Sequence, residues 1–280
     1  MLVLGLVALV FMVGATGGCG TSLYNEVSYQ APDWTPEGLI YFQKAITHYR
    51  KEPMGTINQG TDYEYWTMTT EGTNETQLSY DDYPYFSPGG TYVAFISGET
   101  ISIVRRADDV EVYSFSPTTE SITALDWGPD EDKLVYLKDS GGINIVNIDG
   151  GESISIASSG EAVAWKYGNK IIFNYTDGLY TYTAIINFDG SQRLNVERDN
   201  RVVDPQISKL STNEVYGTHG NEYGYIDLNS DSPQYTKLIS DFNGYLPKLS
   251  PEANKITYGA LFESGIWIID IAGGNLTELK

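Results

Sequence analysis

A turn phrase that returns about every 40 residues constrains the fold of this chain more than any other feature of its sequence. The best copy is Phe86-Ser87-Pro88-Gly89-Gly90, which ends one aromatic strand and is followed by the apolar run Tyr92–Phe95. Proline presets φ for a β-turn, and a following glycine accepts the positive φ that the turn needs. The chain must therefore reverse its direction here, between two strands.

Six copies of this phrase define the repeat. They begin at Trp34, Phe86, Trp127, Trp165, Ile207 and Leu249, with gaps of 52, 41, 38, 42 and 42 residues. A period near 40 with four strand-like runs per unit is typical of a β-propeller blade. We therefore predict an all-β fold in which residues 32–280 form a single propeller of six four-stranded blades, with seven as the alternative count. The three tryptophans share one repeat position and are predicted to be core residues.

The repeats resemble the TolB-like propeller repeats of bacterial envelope proteins. Those repeats combine an aromatic residue, Ser-Pro-Asp-Gly, an apolar strand, and a later strand that ends in Asp-Gly and Leu-Thr. The sixth unit matches through Leu249-Ser250-Pro251-Glu252 and Gly273-Gly274-Asn275-Leu276-Thr277, whereas the fourth and fifth units lack the proline. The resemblance implies the fold and an envelope location, but a propeller fold alone does not define a function.

The start of the chain is an uncharged apolar segment. Residues 1–18 carry no charge and end in small residues just before Cys19, the only cysteine, so no intramolecular disulfide can form. This is the pattern of a secretory signal, and small residues before a lone cysteine resemble the bacterial lipobox, whose cysteine becomes lipidated. The basic residues that usually open such a signal are absent, since the first lysine is Lys44.

We therefore predict a signal peptide at 1–18, a lipidated Cys19 with a tether through residue 31, and the propeller at 32–280. An uncleaved membrane anchor and a buried helix are the alternatives for the apolar segment. Part of the tether, Tyr24–Gln30, alternates enough to form an extra strand that latches the ring. The predicted location is the bacterial cell envelope, on a membrane and facing the periplasm or the exterior.

The first unit contains an insertion. Its gap of 52 places about ten extra residues between its second and third strands, around Ala45–Gly60. In a propeller these connections lie on one face of the ring and the turn phrases on the other, so we expect the turn phrase to shape its blade and contact nothing else. We predict that the insertion is either a partner-binding loop or a tolerated solvent-exposed excursion.

The candidate partner-binding residues all fall in connections predicted for that face. Tyrosine is favoured in recognition surfaces because it offers a large contact area at low entropy cost, although packing between blades is the alternative for any one of them. The candidates are His48, Tyr49, Arg50, Lys51, Tyr83, Tyr175, Asp177, His219, Tyr223, Tyr245 and Phe262.

The sequence contains no pattern typical of catalysis or metal binding. There is no Gly-x-Ser-x-Gly motif, and the only two histidines, His48 and His219, lack the spacing of a zinc site. Acidic groups such as Asp130-Glu131-Asp132 do not have the spacing of a twelve-residue calcium loop, so no cofactor is predicted and calcium stays an open alternative. A net charge of −20 argues against nucleic acid as a partner.

These observations predict a non-enzymatic, lipid-anchored envelope protein with a monomeric domain. Its propeller would bind another envelope protein or a polymer such as peptidoglycan or another glycan. The alternative is a polysaccharide lyase or glycoside hydrolase that acts at the propeller channel. Related propellers with such activities usually have a cluster of histidine and arginine at the channel mouth, to which only His48, Arg50 and His219 could contribute.

Overall fold

The structure, a computed structural model, is an all-β propeller of six four-stranded antiparallel blades. It describes residues 22–165, 169–196, 202–207, 213–229, 233–260, 265–272 and 274–280. Within these ranges, no helix has the length and apolar character needed to cross a bilayer. The predicted blade count and strand number are confirmed.

Each blade is built from four strands that are consecutive in the sequence. The first three blades consist of β1 (Ser22–Trp34), β2 (Ile40–Glu52), β3 (Gly55–Met68) and β4 (Thr76–Gln77); β5 (Tyr85–Phe86), β6 (Tyr92–Ser97), β7 (Thr100–Arg105) and β8 (Val110–Phe115); and β9 (Ile122–Trp127), β10 (Lys133–Lys138), β11 (Ile143–Asn147) and β12 (Ile154–Ala157).

The other three blades follow the same plan. They consist of β13 (Ala162–Ala164), β14 (Lys170–Asp177), β15 (Tyr180–Asn187) and β16 (Leu194–Asn195); β17 (Val203–Ile207), β18 (Glu214–His219), β19 (Glu222–Asp227) and β20 (Tyr235–Ile239); and β21 (Gly244–Leu249), β22 (Lys255–Ala260), β23 (Ile266–Asp270) and β24 (Thr277–Glu278). The first strand of every blade lines the central channel.

The ring closes by packing between blades 1 and 6, with no strand exchanged between them. Trp34, Phe42 and Met68 of blade 1 form one buried cluster with Ile266 and Ile268 of blade 6. Burying large apolar side chains is the main favourable term in folding, so this interface resembles any other contact between blades. Tyr24–Gln30 forms a strand, as predicted, but it is part of β1 within blade 1 and is not an extra strand that latches the ring.

The repeated tryptophans connect neighbouring blades by the same hydrogen bond. The indole Nε1–H of Trp127 donates to the carbonyl oxygen of Tyr85 in blade 2 at 2.8 Å, and that of Trp34 donates to the carbonyl oxygen of Lys248 in blade 6 at 2.9 Å. Trp165 occupies the equivalent position, but its buried Nε1–H has no acceptor among the described residues. All three side chains are buried, as predicted.

The residue just before the repeat anchor also connects blades, through its side chain. Asp126 accepts a hydrogen bond from the backbone N–H of Trp165 in the next blade at 2.8 Å. Gln206 accepts one from the N–H of Leu249 and donates to the carbonyl oxygen of Pro247, both in blade 6. These polar side chains at the channel wall satisfy backbone groups that would otherwise be buried without partners.

The Ser-Pro turn has a clear physical basis. The buried hydroxyl of Ser87 accepts a hydrogen bond from the N–H of Tyr92 at 3.0 Å, and that of Ser250 accepts from Lys255 at 3.1 Å. The fourth position of the turn has a positive φ in every copy that contains proline. These residues are Gly38 (82°), Gly90 (76°), Glu131 (58°) and Ala253 (53°). The prediction of a left-handed residue is confirmed, even where the residue is not glycine.

The expectation that the turn phrase contacts nothing beyond its blade is wrong. The N–H of Gly89 donates to the carboxylate of Glu131 in blade 3 at 2.6 Å. The guanidinium of Arg106 donates to the carbonyl oxygen of Gly90 at 3.1 Å and to the carboxylate of Glu37 in blade 1 at 2.6 Å. The turns of blades 1, 2 and 3 are thus linked by charge-assisted hydrogen bonds, which are stronger than neutral ones.

We expect Glu131→Gln to reduce the acid sensitivity of the protein. Burial acts to raise the pKa of Glu131, but hydrogen bonds from Ser87, Thr91 and the N–H of Gly89 outweigh it and hold the pKa below its usual 4.5. A carboxyl whose pKa is lower in the folded state stabilises the protein at pH values above its unfolded pKa. This stabilisation disappears as the pH falls through the pKa of the folded state. The melting temperature of the wild type should therefore exceed that of the variant at pH 7, and this difference should shrink below about pH 4.5. A pH-independent difference would contradict the prediction.

Two sequence predictions about blade 1 are corrected. The predicted tether is wrong for residues 22–31, because they form the first part of β1 and pair with β2 from Ser22↔Lys51 to Gln30↔Gln43. The predicted loop Ala45–Gly60 is also wrong, because this stretch continues β2 and β3 as a hairpin closed by Pro53 and Met54. The extra residues are therefore ordered by backbone hydrogen bonds across three strands.

Candidate functional site

The outer parts of β1, β2 and β3 form a three-stranded sheet that extends past the ring. We call residues 22–30, 43–52 and 55–65 the blade-1 projection. Rows of three facing residues run across it, for example Asn25, His48 and Gly60. From Gln30 to Ser22 the sheet extends about 27 Å, at ~3.4 Å per strand residue. It stands at the end of the ring that carries the connections between second and third strands, opposite the turn phrases.

One face of the projection is held together by a histidine. His48 Nδ1 lies 2.9 Å from Asn25 Oδ1, and its Nε2 lies 2.8 Å from Asp62 Oδ2, so the imidazole connects all three strands. Lower on the same face, the ammonium of Lys44 lies 4.9 Å from the ring centre of Trp66. The exposed contact between His48 and Asp62 contributes little to stability on its own, since both side chains are partly solvated.

The other face of the projection is aromatic. Tyr24 and Tyr49 stack with their ring centres 5.2 Å apart. Below them, the hydroxyls of Thr47 on β2 and Thr61 on β3 are 3.0 Å apart. Tyr63 lies in the next row and has 55 % of its surface exposed. A stacked pair and an exposed tyrosine on a rigid sheet offer contact area that need not be ordered on binding.

Both long edges of the projection lack a pairing strand among the described residues. Residues 22–30 pair only with β2, and β4 pairs with β3 only at Trp66 and Thr67, which leaves residues 55–64 unpaired on their outer side. An unpaired edge presents a row of backbone donors and acceptors to any extended chain that approaches it. Natural proteins usually shorten or cover such edges, and here two long ones lie on opposite sides of the same sheet.

The tip of the projection is apolar and contains little acidic charge. Met54, in the hairpin turn, is 100 % exposed, and the side chains of Leu23 and Ile57 beside it are 63 % and 40 % exposed. Arg50 forms an ion pair with Glu52 at 2.8 Å, and Lys51 adds a second cation. Exposed apolar side chains grouped at one point are a feature of contact surfaces.

The central channel contains a polar cavity of about 480 Å³. Asp33, Asp126 and Glu161 line it together with Lys248, whose ammonium lies 3.6 Å from the carboxylate of Asp33. The cavity is therefore crossed by one ion pair, while both carboxylate oxygens of Asp126 accept hydrogen bonds from backbone N–H groups.

Tyrosines fill the blade 1–blade 2 side of this channel. The hydroxyl of Tyr41 donates to that of Tyr83 at 3.0 Å, and the ring of Tyr85 packs on Tyr83 with centres 5.1 Å apart. Burial and the nearby carboxylate of Asp33 raise the pKa values of Tyr41 and Tyr83 well above 10, and burial raises that of Tyr85 to about 12. All three phenols therefore stay neutral at ordinary pH and none is an activated base.

The structure brings four of the predicted residues together and separates the others. His48, Tyr49, Arg50 and Lys51 are consecutive on β2 in the projection. The prediction of a partner contact by Tyr223 is wrong, because this residue is fully buried in the core of blades 5 and 6. Tyr83 lines the channel and packs against other tyrosines, so it does not belong to an exposed loop.

The remaining candidates lie apart from the projection. Tyr175 belongs to β14, where it stacks on Tyr182 and is covered by the guanidinium of Arg193 at 4.7 Å. Asp177 ends β14 and is exposed. His219 ends β18 in blade 5, with its ring 4.9 Å from that of Tyr235.

Three predicted residues cannot be placed in the same way. Cys19 and Phe262 lie outside the described residues. Tyr245 lies in β21, where its backbone faces Gly259, and its side chain is outside the described part.

The two histidines do not form a common site. His48 lies in blade 1 and His219 in blade 5, and these blades are separated in the ring by blade 6. Among the described residues, no group of three or more histidine, cysteine, aspartate or glutamate side chains could hold a metal ion. His48 and Arg50 lie on β2 of blade 1 and His219 lies on β18 of blade 5, so these three residues do not form one cluster.

Some exposed residues were missed in the sequence. Leu23 falls in the predicted tether, and Tyr63 is not among the candidate residues, because the strands beside them are distant in the sequence. Leu179, in the tight turn between β14 and β15, is 91 % exposed. The sequence could have indicated this exposure, because Leu179 is an apolar residue in a two-residue turn and such turns usually contain polar residues and glycine.

Comparison with solved structures gives the same fold. A protein assigned to TolB from Agrobacterium tumefaciens is 12 % identical over 74 % of this chain and 84 % of that one, with a TM-score of 0.57. TolB from Acinetobacter baumannii is 12 % identical over 90 % of this chain and 78 % of that one, with a TM-score of 0.56. A chain of a nidogen–laminin complex is 8 % identical over 89 % and 90 %, with a TM-score of 0.58.

No protein-family model and no curated protein matches the sequence. At identities this low, structural similarity establishes the arrangement of the chain and not its activity. The chain therefore has the fold of a TolB-like β-propeller with six blades.

Proposed function

We propose that this protein is a non-catalytic, protein-binding scaffold of the bacterial cell envelope, attached to a membrane through a lipid on Cys19. The blade-1 projection is its main binding element, and an extended segment of another envelope protein is its partner. The anchor rests on the sequence pattern around Cys19 and on the envelope origin of TolB-like repeats. The binding role rests on the geometry of the projection.

The observation that carries the proposal is the pair of unpaired strand edges on the projection. An extended peptide that adds to residues 55–64 gains backbone hydrogen bonds along a whole strand, and pockets beside the edge then select its side chains. Tyr63, exposed next to this edge, supplies a large side chain for such selection. One of the similar propellers was solved in a nidogen–laminin complex, an assembly of two proteins.

The rigidity of the projection supports the same role. The side-chain contacts across its strands, from His48 on one face and from the stacked Tyr24 and Tyr49 on the other, hold the sheet in place before a partner arrives. Binding to a preordered surface costs less conformational entropy than binding to a loop. The polar channel is partly filled by its own ion pair and tyrosine cluster, which makes it a poorer candidate for the principal site.

Site-specific photocrosslinking in intact cells tests the proposal. With a photoreactive phenylalanine analogue in place of Tyr63, we expect a discrete adduct that protease digestion removes. Tyr113 is the matched control, because it is also an exposed tyrosine, 36 % accessible, but lies on the outermost strand of blade 2. The same analogue at Tyr113 should give no adduct.

Three results would contradict the protein-binding scaffold. The first is no adduct at position 63, and the second is the same adduct at positions 63 and 113. The third is a heterogeneous product that muralytic enzymes remove and proteases do not, which would assign the site to peptidoglycan or a related glycan.

A further inference from the structure

We propose that the tip of the blade-1 projection, formed by Leu23, Arg50, Lys51, Met54 and Ile57, rests in the interfacial region of a lipid bilayer. This contact is independent of the protein partner proposed for the sides of the projection. It also differs from the lipid on Cys19, since it involves side chains of the folded domain.

The course of the chain is the first argument. β1 begins at Ser22, the first described residue, which pairs with Lys51 near the tip, so the described chain starts at the tip and not at the ring. The sequence before it, residues 1–21, is uncharged, and residues 1–13 are almost entirely apolar. If this segment or a lipid nearby enters a bilayer, a connection of only a few residues brings the tip to the membrane surface.

The second argument is the type of side chain exposed there. Met54 projects fully into solvent from the hairpin turn, and Leu23 and Ile57 flank it. A helix is not required for interfacial binding, because the energy comes from burying apolar side chains at the level of the head groups. Three side chains are too few for a stable protein interface, which needs roughly 800 Å² from each partner.

The third argument is the distribution of charge. The protein contains 37 acidic residues, yet residues 1–25 and 53–61 contain none. The single carboxylate at the tip, Glu52, is neutralised by Arg50, which leaves Lys51 as the excess charge. An acidic tip would be repelled by anionic lipids, whereas a basic one is attracted. The rest of the surface has the opposite sign and stays away from the bilayer.

An environment-sensitive dye at the turn tests the inference. We would label Met54→Cys with NBD in the full-length chain carrying Cys19→Ser, and reconstitute it in vesicles of phosphatidylcholine with phosphatidylglycerol. Labelled Asp130→Cys is the matched control, since Asp130 is exposed in a turn at the opposite end of the ring. We expect the emission at position 54 to shift to shorter wavelength and to be quenched by brominated lipids, while position 130 behaves as in water.

A charge variant separates lipid attraction from simple proximity. Lys51→Gln should lower the partitioning of the position 54 dye into these vesicles on the order of fivefold, with a smaller loss in phosphatidylcholine alone. Lys170→Gln, which removes a lysine near the end of the ring that carries the turn phrases, should leave the partitioning of the dye unchanged. The inference is overturned if the dye at position 54 stays water-like on both kinds of vesicle. A shift that depends only on protein concentration would also overturn it, because it would identify a second copy of the chain as the occupant.

The outcome is independent of the Tyr63 crosslink. A lipid-buried tip without a protein adduct at Tyr63 would refute the scaffold and retain the membrane contact. A protein adduct at Tyr63 with a water-exposed tip would retain the scaffold and refute the membrane contact.

Discussion

Trp127→Ala should lower the free energy of unfolding by about 3–5 kcal/mol, because this fully buried indole fills the interface between blades 2 and 3. The more informative measurement is a series of Trp→Phe variants at the three repeat anchors. Trp34 and Trp127 each donate a hydrogen bond to the preceding blade, while the N–H of Trp165 has no acceptor within the described chain. All three replacements remove similar volume.

The series therefore isolates the hydrogen bond between blades. Trp34→Phe and Trp127→Phe should each destabilise the protein by about 1–3 kcal/mol more than Trp165→Phe, since they leave a partly buried carbonyl without its donor. Urea denaturation followed by circular dichroism gives the comparison. An equal decrease in the free energy of unfolding at the three positions would show that the indole ring contributes through packing alone and that its N–H does not contribute to stability.

Thr183→Val should be nearly as damaging, although it preserves the shape of the side chain. The hydroxyl of Thr183 donates to the carbonyl oxygen of Val202 at 2.8 Å and accepts from its N–H at 3.0 Å. Asn174 donates a second hydrogen bond to the same carbonyl at 2.7 Å. This buried network fixes the chain entering blade 5 onto blade 4. Removing the hydroxyl leaves the N–H of Val202 without a partner and its carbonyl oxygen with Asn174 alone, at a cost of about 2–4 kcal/mol.

The chain offers a matched control two residues away. Thr181 lies on the same strand and the same face as Thr183, but its hydroxyl meets only Thr176 on the exposed surface, at 3.3 Å. Thr181→Val should change the free energy of unfolding by less than about 0.5 kcal/mol. If both variants behaved alike, the destabilisation would come from valine in the strand and not from the buried network.

The blade architecture could be predicted because it repeats. Strands β7 and β9 begin and end where the alternation of the sequence places them, at Thr100–Arg105 and Ile122–Trp127. A turn phrase with proline and a left-handed residue recurs at nearly constant spacing, and each copy strengthens the interpretation of the others. Even the weak units gain from this, since neighbouring blades bury each other's faces.

The projection could not be predicted because it depends on how its strands pair, and the sequence of one strand does not specify its partner. The alternation in Tyr24–Gln30 indicates a strand but not its partner, which is set by a register with residues 43–51. Such a register is not apparent from either segment alone. The same limit explains the tyrosines, because Tyr63 is exposed and Tyr223 is buried although both lie in third strands. Which face of a strand meets a neighbour is decided by the assembled ring.

The contacts of the turn phrase were also missed for a physical reason. Glu131 occupies the position of a turn glycine, and its sequence neighbours Asp130 and Asp132 suggest a solvated acidic cluster. Only the curvature of the ring brings its carboxylate to the backbone of Gly89 in the adjacent blade.

The blade-1 projection sets the distance of its tip from the ring, and insertions into its three strands would change this distance in fixed steps. Adding one residue to each of its three strands would raise the tip by about 3.4 Å but would exchange its two faces, since side chains alternate along a strand. Adding two to each would raise it by about 7 Å and keep Tyr63 and His48 on their present sides. The distance from the tip to the ring can thus be changed by insertions of two residues in each strand, without any change in the ring itself.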